Sequence, residues 1–129
     1  MFGGVYAIIT DRKGRMLLQL RNRFRIPDGN KWTLLSGKIK IWESAETAIK
    51  RELQEELGIT VNKVTLFLRI WRFICVPSYI FHVELTLTEP VKIFEGQAAR
   101  YVAKKEMQML KVASYSRKII RTWYVNRKT

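Results

Sequence analysis

Gly37 to Ile59 reads GKIKIWESAETAIKRELQEELGI, and its charge pattern decides how the rest of the chain is read. On a helix each residue advances about 100°. With Glu52 at zero, Glu56 falls near ~+40° and Glu55 near ~−60°, so three carboxylates share roughly 100° of arc. Ile49, Leu53 and Leu57 occupy the neighbouring arc, a stripe suited to packing on a core. Ala45 and Ala48 lie within or beside the acidic arc and leave room there. Ser44 is placed as N-cap, Glu46 suits the positive end of the helix dipole, and Gly58 is placed just past the last turn. Like charges three and four residues apart repel, and the repulsion grows if their face is partly buried. A hard divalent cation with oxygen ligands removes that conflict, and magnesium in particular is held by a few carboxylates plus substrate phosphates. A solvated acidic helix face is the competing reading of the same spacing. Arg51, one turn before Glu55, is placed to pair with it.

On the N-terminal side, Val5–Thr10 and Met16–Leu20 read as strands of a hairpin joined by turn residues Asp11 to Arg15. Arg25 to Asn30 is a loop, and Trp32–Leu35 reads as a short strand ending at Gly37. On the C-terminal side, Val61–Val76 is β-rich, as two strands or one long bent one, and Tyr79–Thr86 is another strand broken by Glu89-Pro90. Arg100–Ala103 reads as a last short strand, with a short helix beginning near Lys104. From Ser114 a final helix sets Tyr115, Ile119 and Trp123 on one stripe, with Arg117, Lys118 and Arg121 largely off it. Strands and helices interleave without a strict βαβ rhythm, which implies a mixed sheet with helices on both faces.

At 129 residues, 47% of them apolar, the chain suits one domain, 1–129, with a real core. No apolar run approaches the ~20 residues of a membrane span, and the N-terminus lacks the layout of a secretory leader. A cytoplasmic location without a membrane role is the expectation. One cysteine, Cys75, excludes an internal disulfide and a multi-cysteine zinc site, and reads as a buried small hydrophobe. The net charge of +13 favours polyanions: nucleotides, nucleic acid or an acidic surface. Six basic residues and no acid lie between Lys111 and Thr129, whereas five of the eleven acids crowd between Glu43 and Glu56.

The quoted segment also satisfies every specified position of G-x5-E-x7-R-E-U-x-E-E-x-G-U, where U is a bulky aliphatic residue. Gly37, Glu43, Arg51, Glu52, Leu53, Glu55, Glu56, Gly58 and Ile59 fall in register. Seven fixed residues coincide by chance on the order of once in 10^8 start positions. The chain thereby resembles the Nudix hydrolase family. The likeness extends over nearly its whole length, including Leu17–Arg21, Asn30–Leu34 and Glu95-Gly96-Gln97.

This resemblance implies an α/β fold of the α+β type, an α/β/α sandwich with a mixed sheet between helices, the signature forming loop–helix–loop. It implies Mg2+, with Mn2+ as substitute, on Glu52, Glu55 and Glu56, with the carbonyl of Ser36 as an additional ligand. Glu55, Glu56 and Glu95 carry the catalytic and metal roles, Glu95 being the preferred general base. Arg51 orients a glutamate, Glu43 is a supporting acid, and Gly37 and Gly58 supply backbone geometry. Two departures bear on the loop: Lys40 stands where glutamate is frequent, and Trp42 where glycine is usual.

The implied reaction is hydrolysis of the diphosphate bond of a nucleoside diphosphate derivative, foremost a nucleoside triphosphate, including oxidised purine forms. Arg21 and Arg23 are candidates to grip phosphate, with a solvated strand end as the competing role. Trp32, Phe81 and Tyr101 are candidates to stack on a base, with core packing as the competing role. His82, the only histidine, reads as a sheet residue. Rival readings are a nucleic-acid-binding or RNA 5′-end-processing protein, and a nucleotide-sugar or dinucleotide hydrolase. A homodimer is compatible with the sequence.

Overall fold

A computed structural model describes residues 3–24, 26, 29–73, 76–85 and 98–127. Glu95, Cys75 and the Glu89-Pro90 break lie outside the described residues. The elements are β1 (Gly4–Thr10), β2 (Met16–Leu20), β3 (Trp32–Thr33), β4 (Leu35–Lys38), α1 (Ala45–Leu57), β5 (Thr65–Phe73), β6 (Val76–Glu84), β7 (Ala98–Val102), α2 (Lys104–Met107) and α3 (Ser114–Asn126).

Among the described residues the seven strands form one mixed sheet ordered β3-β2-β1-β6-β5, with β4 also on β1 and β7 also on β2. The β1–β6 pairing is parallel and the other pairings are antiparallel. Period-two alternation sorts the side chains of β1 to two cores. Val5, Ala7 and Ile9 pack with Ile49, Leu53 and Leu57 of α1, while Ile8 packs with Ile119, Ile120 and Trp123 of α3. The helices therefore cover opposite faces, giving the α/β/α sandwich. The three aliphatic residues of the α1 stripe are 0–5% exposed.

The β1–β2 turn forms as its residues require. Asp11 Oδ1 accepts from the N–H groups of Lys13 and Arg15 at 2.9 and 2.8 Å, and Gly14 takes a φ of 78°.

Several boundaries differ from the sequence reading. Trp32–Leu35 is not one strand: β3 pairs with β2, β4 pairs with β1, and the chain changes partner at Leu34. The Leu34 N–H, taken out of the ladder, donates to Ser116 Oγ of α3 at 3.2 Å. Strand β4 also runs past Gly37 to Lys38, which pairs with Gly4. Within Val61–Val76, pairing begins only at Thr65, and Val76 already belongs to β6. The bend expected there appears as two register shifts, at Leu66/Leu68 and Trp71/Phe73.

Candidate active site

Helix α1 starts and stops where its caps demand. Ser44 Oγ accepts from the Thr47 N–H at 3.1 Å. At the other end Gly58 is left-handed (φ 66°), and its N–H donates to the Gln54 carbonyl at 3.0 Å. Burial of the aliphatic stripe against the sheet sets the rotation of the helix and carries the acidic arc to the edge of that core. Glu52 and Glu56 are 9% and 8% exposed, whereas the Glu55 side chain is half exposed.

Arg51 is the hub of the cluster. Its Nε donates to Glu43 Oε2 at 2.7 Å and its Nη2 to Glu43 Oε1 at 3.0 Å, a two-point grip. Nη1 reaches Glu52 Oε1 at 2.9 Å and Glu55 Oε2 at 3.3 Å. Nη2 also donates to the Lys38 carbonyl at 2.8 Å, tying α1 to β4. Glu43 Oε1 additionally accepts from the Lys40 N–H at 2.9 Å. The Arg51 hydrogen bonds hold the Glu43 carboxyl at a pKa of about 2, and the same contacts push the guanidinium further above its usual range. Spacing along the helix shows the Arg51–Glu55 pair. The stronger Arg51–Glu43 grip crosses the helix start and is not visible in that periodicity.

Gly37 meets this cluster from the sheet. A β-carbon there would overlap Cγ, Cδ and Oε1 of Glu52. The requirement is close approach; Gly37 is absent from the residues with positive φ, unlike Gly58. Main chain of β4 and a buried carboxylate of α1 thus share one small space, with Ser36 half-buried on the same strand.

The loop between β4 and α1 turns tightly, the Glu43 N–H donating to the Lys40 carbonyl at 3.1 Å. Trp42, the third residue of that turn, has a φ of 66° and is 94% exposed. Glycine is favoured at such a position because it has no β-carbon to clash.

The structure brings Gly37, Glu43, Arg51, Glu52 and Glu55 into contact, and Glu56 lies on the same helix face one turn on. Arg21 and Arg23 are on the loop leaving the end of β2 that lies, by register, toward Gly4 and Lys38. Arg23 stacks on Phe24 at 4.7 Å. Phe81 is 4% exposed in the α1-side core. Tyr101 packs against that core, and burial pushes its phenol up. Trp32 packs on the α3 side beneath Arg100, 5.4 Å from its ring. His82 bonds Thr10 Oγ1 through Nε2 at 2.8 Å and stacks on Trp123.

Among the described residues, no three His, Cys, Asp or Glu side chains stand as a ready-made ligand cage. The donor set still suits a hard cation. It offers carboxylate and main-chain oxygens, two of the carboxylates buried, and Gly37 keeps open the approach of Glu52 to β4. Magnesium needs no full protein cage, because it retains waters and takes substrate phosphate oxygens. Among the described residues no helix is long and apolar enough to cross a membrane.

A family model described as NUDIX domain matches residues 2–123. NAD-capped RNA hydrolase NudC from Haemophilus influenzae is 34% identical over 61 residues, 46% of this chain. That match spans 23% of the relative's own length. A MutT protein from Methanosarcina mazei superposes with a TM-score of 0.72 at 26% identity, covering 98% of this chain and 96% of the other. A MutT NUDIX hydrolase from Burkholderia pseudomallei gives 0.75 at 26% identity, covering 90% and 92%.

Proposed function

The chain belongs to the NUDIX family of hydrolases, and from that premise we propose that it is a Mg2+-dependent pyrophosphohydrolase of nucleoside triphosphates, acting as a single domain in the cytoplasm. The observation that carries this reading is the placement of Glu52. Its carboxylate is buried at the point where α1 meets β4, held by Arg51 and admitted by Gly37. Burying like charges on one helix face is costly unless they are partnered. Arg51 partners Glu52 and Glu55, and a divalent cation held there would complete the neutralisation.

Glu52, Glu55, Glu56 and the Ser36 carbonyl are the ligands in this reading, and Glu95 is the general base. When bound, Mg2+ neutralises phosphate charge and lowers the pKa of a coordinated water. The remaining functions belong to the chain itself. Arg51 fixes the Glu52 and Glu55 carboxylates through charge-assisted bonds. Arg21 and Arg23 hold non-bridging phosphate oxygens from the β2–β3 loop. Water adds to phosphorus as the anhydride oxygen leaves, giving a nucleoside monophosphate and pyrophosphate, and the water's proton passes to the base carboxylate. The MutT likenesses across nearly the whole chain support pyrophosphohydrolase activity.

A second reading, a capped RNA 5′ end, is favoured by the net charge of +13 and by the name of the Haemophilus relative. A nucleotide panel with Mg2+, read for pyrophosphate or monophosphate and run beside Glu56→Gln, tests both. Triphosphate cleavage that Glu56→Gln abolishes is the expected result. Cleavage of capped RNA alone selects the second reading, and near-normal activity of Glu56→Gln overturns the metal assignment.

A further inference from the structure

Helix α3 has a second organised face besides the one in the core. Ser116, Ile119, Ile120 and Trp123 are buried against the sheet. Arg117, Arg121, Tyr124 and Val125 follow at spacings of four, three and one, so they form an adjoining stripe. That stripe faces Lys104 and Met107 of α2 and the segment after it, across a cavity of about 720 Å³.

Its walls are apolar, from Met107, Leu110, Val112 and Ile120, while Lys104, Arg117 and Arg121 bring three cations, and among the described residues no carboxylate lines it. Glu106 is the one acid between Ala98 and Arg127. It is committed elsewhere, bonding the Arg100 guanidinium at 3.1 Å and the Ala103 N–H at 3.2 Å. Two further contacts fix the cations. Arg117 Nη2 donates to the Val112 carbonyl at 3.0 Å, and Lys104 Nζ lies 5.2 Å from the centre of the Tyr124 ring. A pocket of cations without counter-charge favours an anion, and apolar walls with an aromatic ring favour a flat organic group attached to it. The volume lies within the roughly 300–1,000 Å³ usual for small-molecule sites. Gln108 adds an amide that can both donate and accept, as the edge of a nucleobase requires. The cavity belongs to the α3 side of the sheet, opposite the face that α1 covers.

We propose that this cavity is a second ligand site, separate from the acidic helix, and that it takes a nucleotide unit: a base packed on Tyr124 with its phosphate on Arg117, Arg121 and Lys104. The unit comes either from a free nucleotide or from a single strand, and both present the same ring and phosphate.

The test uses the full isotope-labelled chain in EDTA, with two probes that carry no phosphoanhydride: AMP and a short 5′-hydroxyl oligoadenylate. The expected result is saturable movement of backbone amide signals between residues 104 and 125, weakening with salt. Binding should fall about tenfold or more in the Lys104→Glu, Arg121→Glu double variant, with thermal unfolding showing that this variant folds. A response to AMP identifies free nucleotide as sufficient, and a response to the oligomer alone identifies the strand. No movement of those amides with either probe at millimolar concentration, or unchanged binding in the folded double variant, overturns the proposal.

Discussion

The side chain of Glu52 fills the space that a β-carbon on Gly37 would occupy. Because the clash is with the carboxylate end itself, even a methyl group at position 37 must move the Glu52 carboxylate. The neighbours offer little slack, since Arg51 already holds Glu52 Oε1 and is anchored on Glu43 and the Lys38 carbonyl. Displacing a catalytic constellation by about 1 Å costs on the order of 100-fold in rate. Gly37→Ala is therefore expected to lose about 100-fold in kcat while keeping its circular dichroism spectrum. Normal turnover in a folded Gly37→Ala protein would remove Glu52 from the reacting centre.

The metal binding proposed at α1 has a signature independent of turnover. A ligand that binds only the folded state stabilises it by about 1.4 kcal/mol at ten times its Kd. Mg2+ at ten times its Kd should therefore raise Tm by about 5 °C in the native chain and far less in Glu52→Gln or Glu56→Gln. Equal stabilisation of all three proteins by Mg2+ would place the ion elsewhere.

Trp42 sits in a backbone conformation that disfavours a β-carbon, and its side chain contributes almost no burial to offset the cost, being 94% exposed. A left-handed residue of this kind costs about 1 kcal/mol or more relative to glycine. Trp42→Gly should raise stability by about 1 kcal/mol in urea unfolding, whereas Trp42→Ala, which keeps the β-carbon, should not. A destabilised Trp42→Gly would show that the indole makes contacts that offset the strain.

His82 and Glu43 contribute to the acid response in separate windows. Burial, with the Arg127 charge as a lesser cause, lowers the His82 pKa below its ordinary 6.5. The unfolded chain then binds the proton more readily, so this stabilisation is present above 6.5 and is lost as pH falls below it. Glu43 is lowered by its Arg51 bonds from 4.5 to about 2, so its contribution is present above 4.5 and is lost as pH falls toward 2. Urea unfolding followed against pH should show both declines. Glu43→Gln should shrink the lower one, to which Asp11 and Glu106 also contribute, and cost about 1–2 kcal/mol at neutral pH, allowing for solvent screening. A lower decline of unchanged size in Glu43→Gln would assign it to the other carboxylates.

Helix α1 was legible from its residues alone because every local signal agreed: the Ser44 cap, the aliphatic stripe, the acidic arc and Gly58. The same holds for β1, β2 and the stripe of α3, where periods of 2 and 3.6 mark the buried side directly. The break at Leu34 was not legible, because four apolar or β-favouring residues in a row carry no sign that the chain changes partner between β2 and β1. That change is decided by Ser116, 82 residues away, which takes the N–H the ladder gives up.

The same division runs through the site. Sequence by itself determined which side chains share a helix face and which residue types stand at the fixed positions of the signature, since both follow from spacing along one chain. Only the tertiary structure decided that Arg51 grips Glu43 more firmly than Glu55, that Gly37 is needed for room and not for its φ, and that three cations of α2 and α3 meet around a cavity. Each of those depends on how β4, α1, α2 and α3 pack. Packing brings together groups whose separation along the chain says nothing about their distance in space.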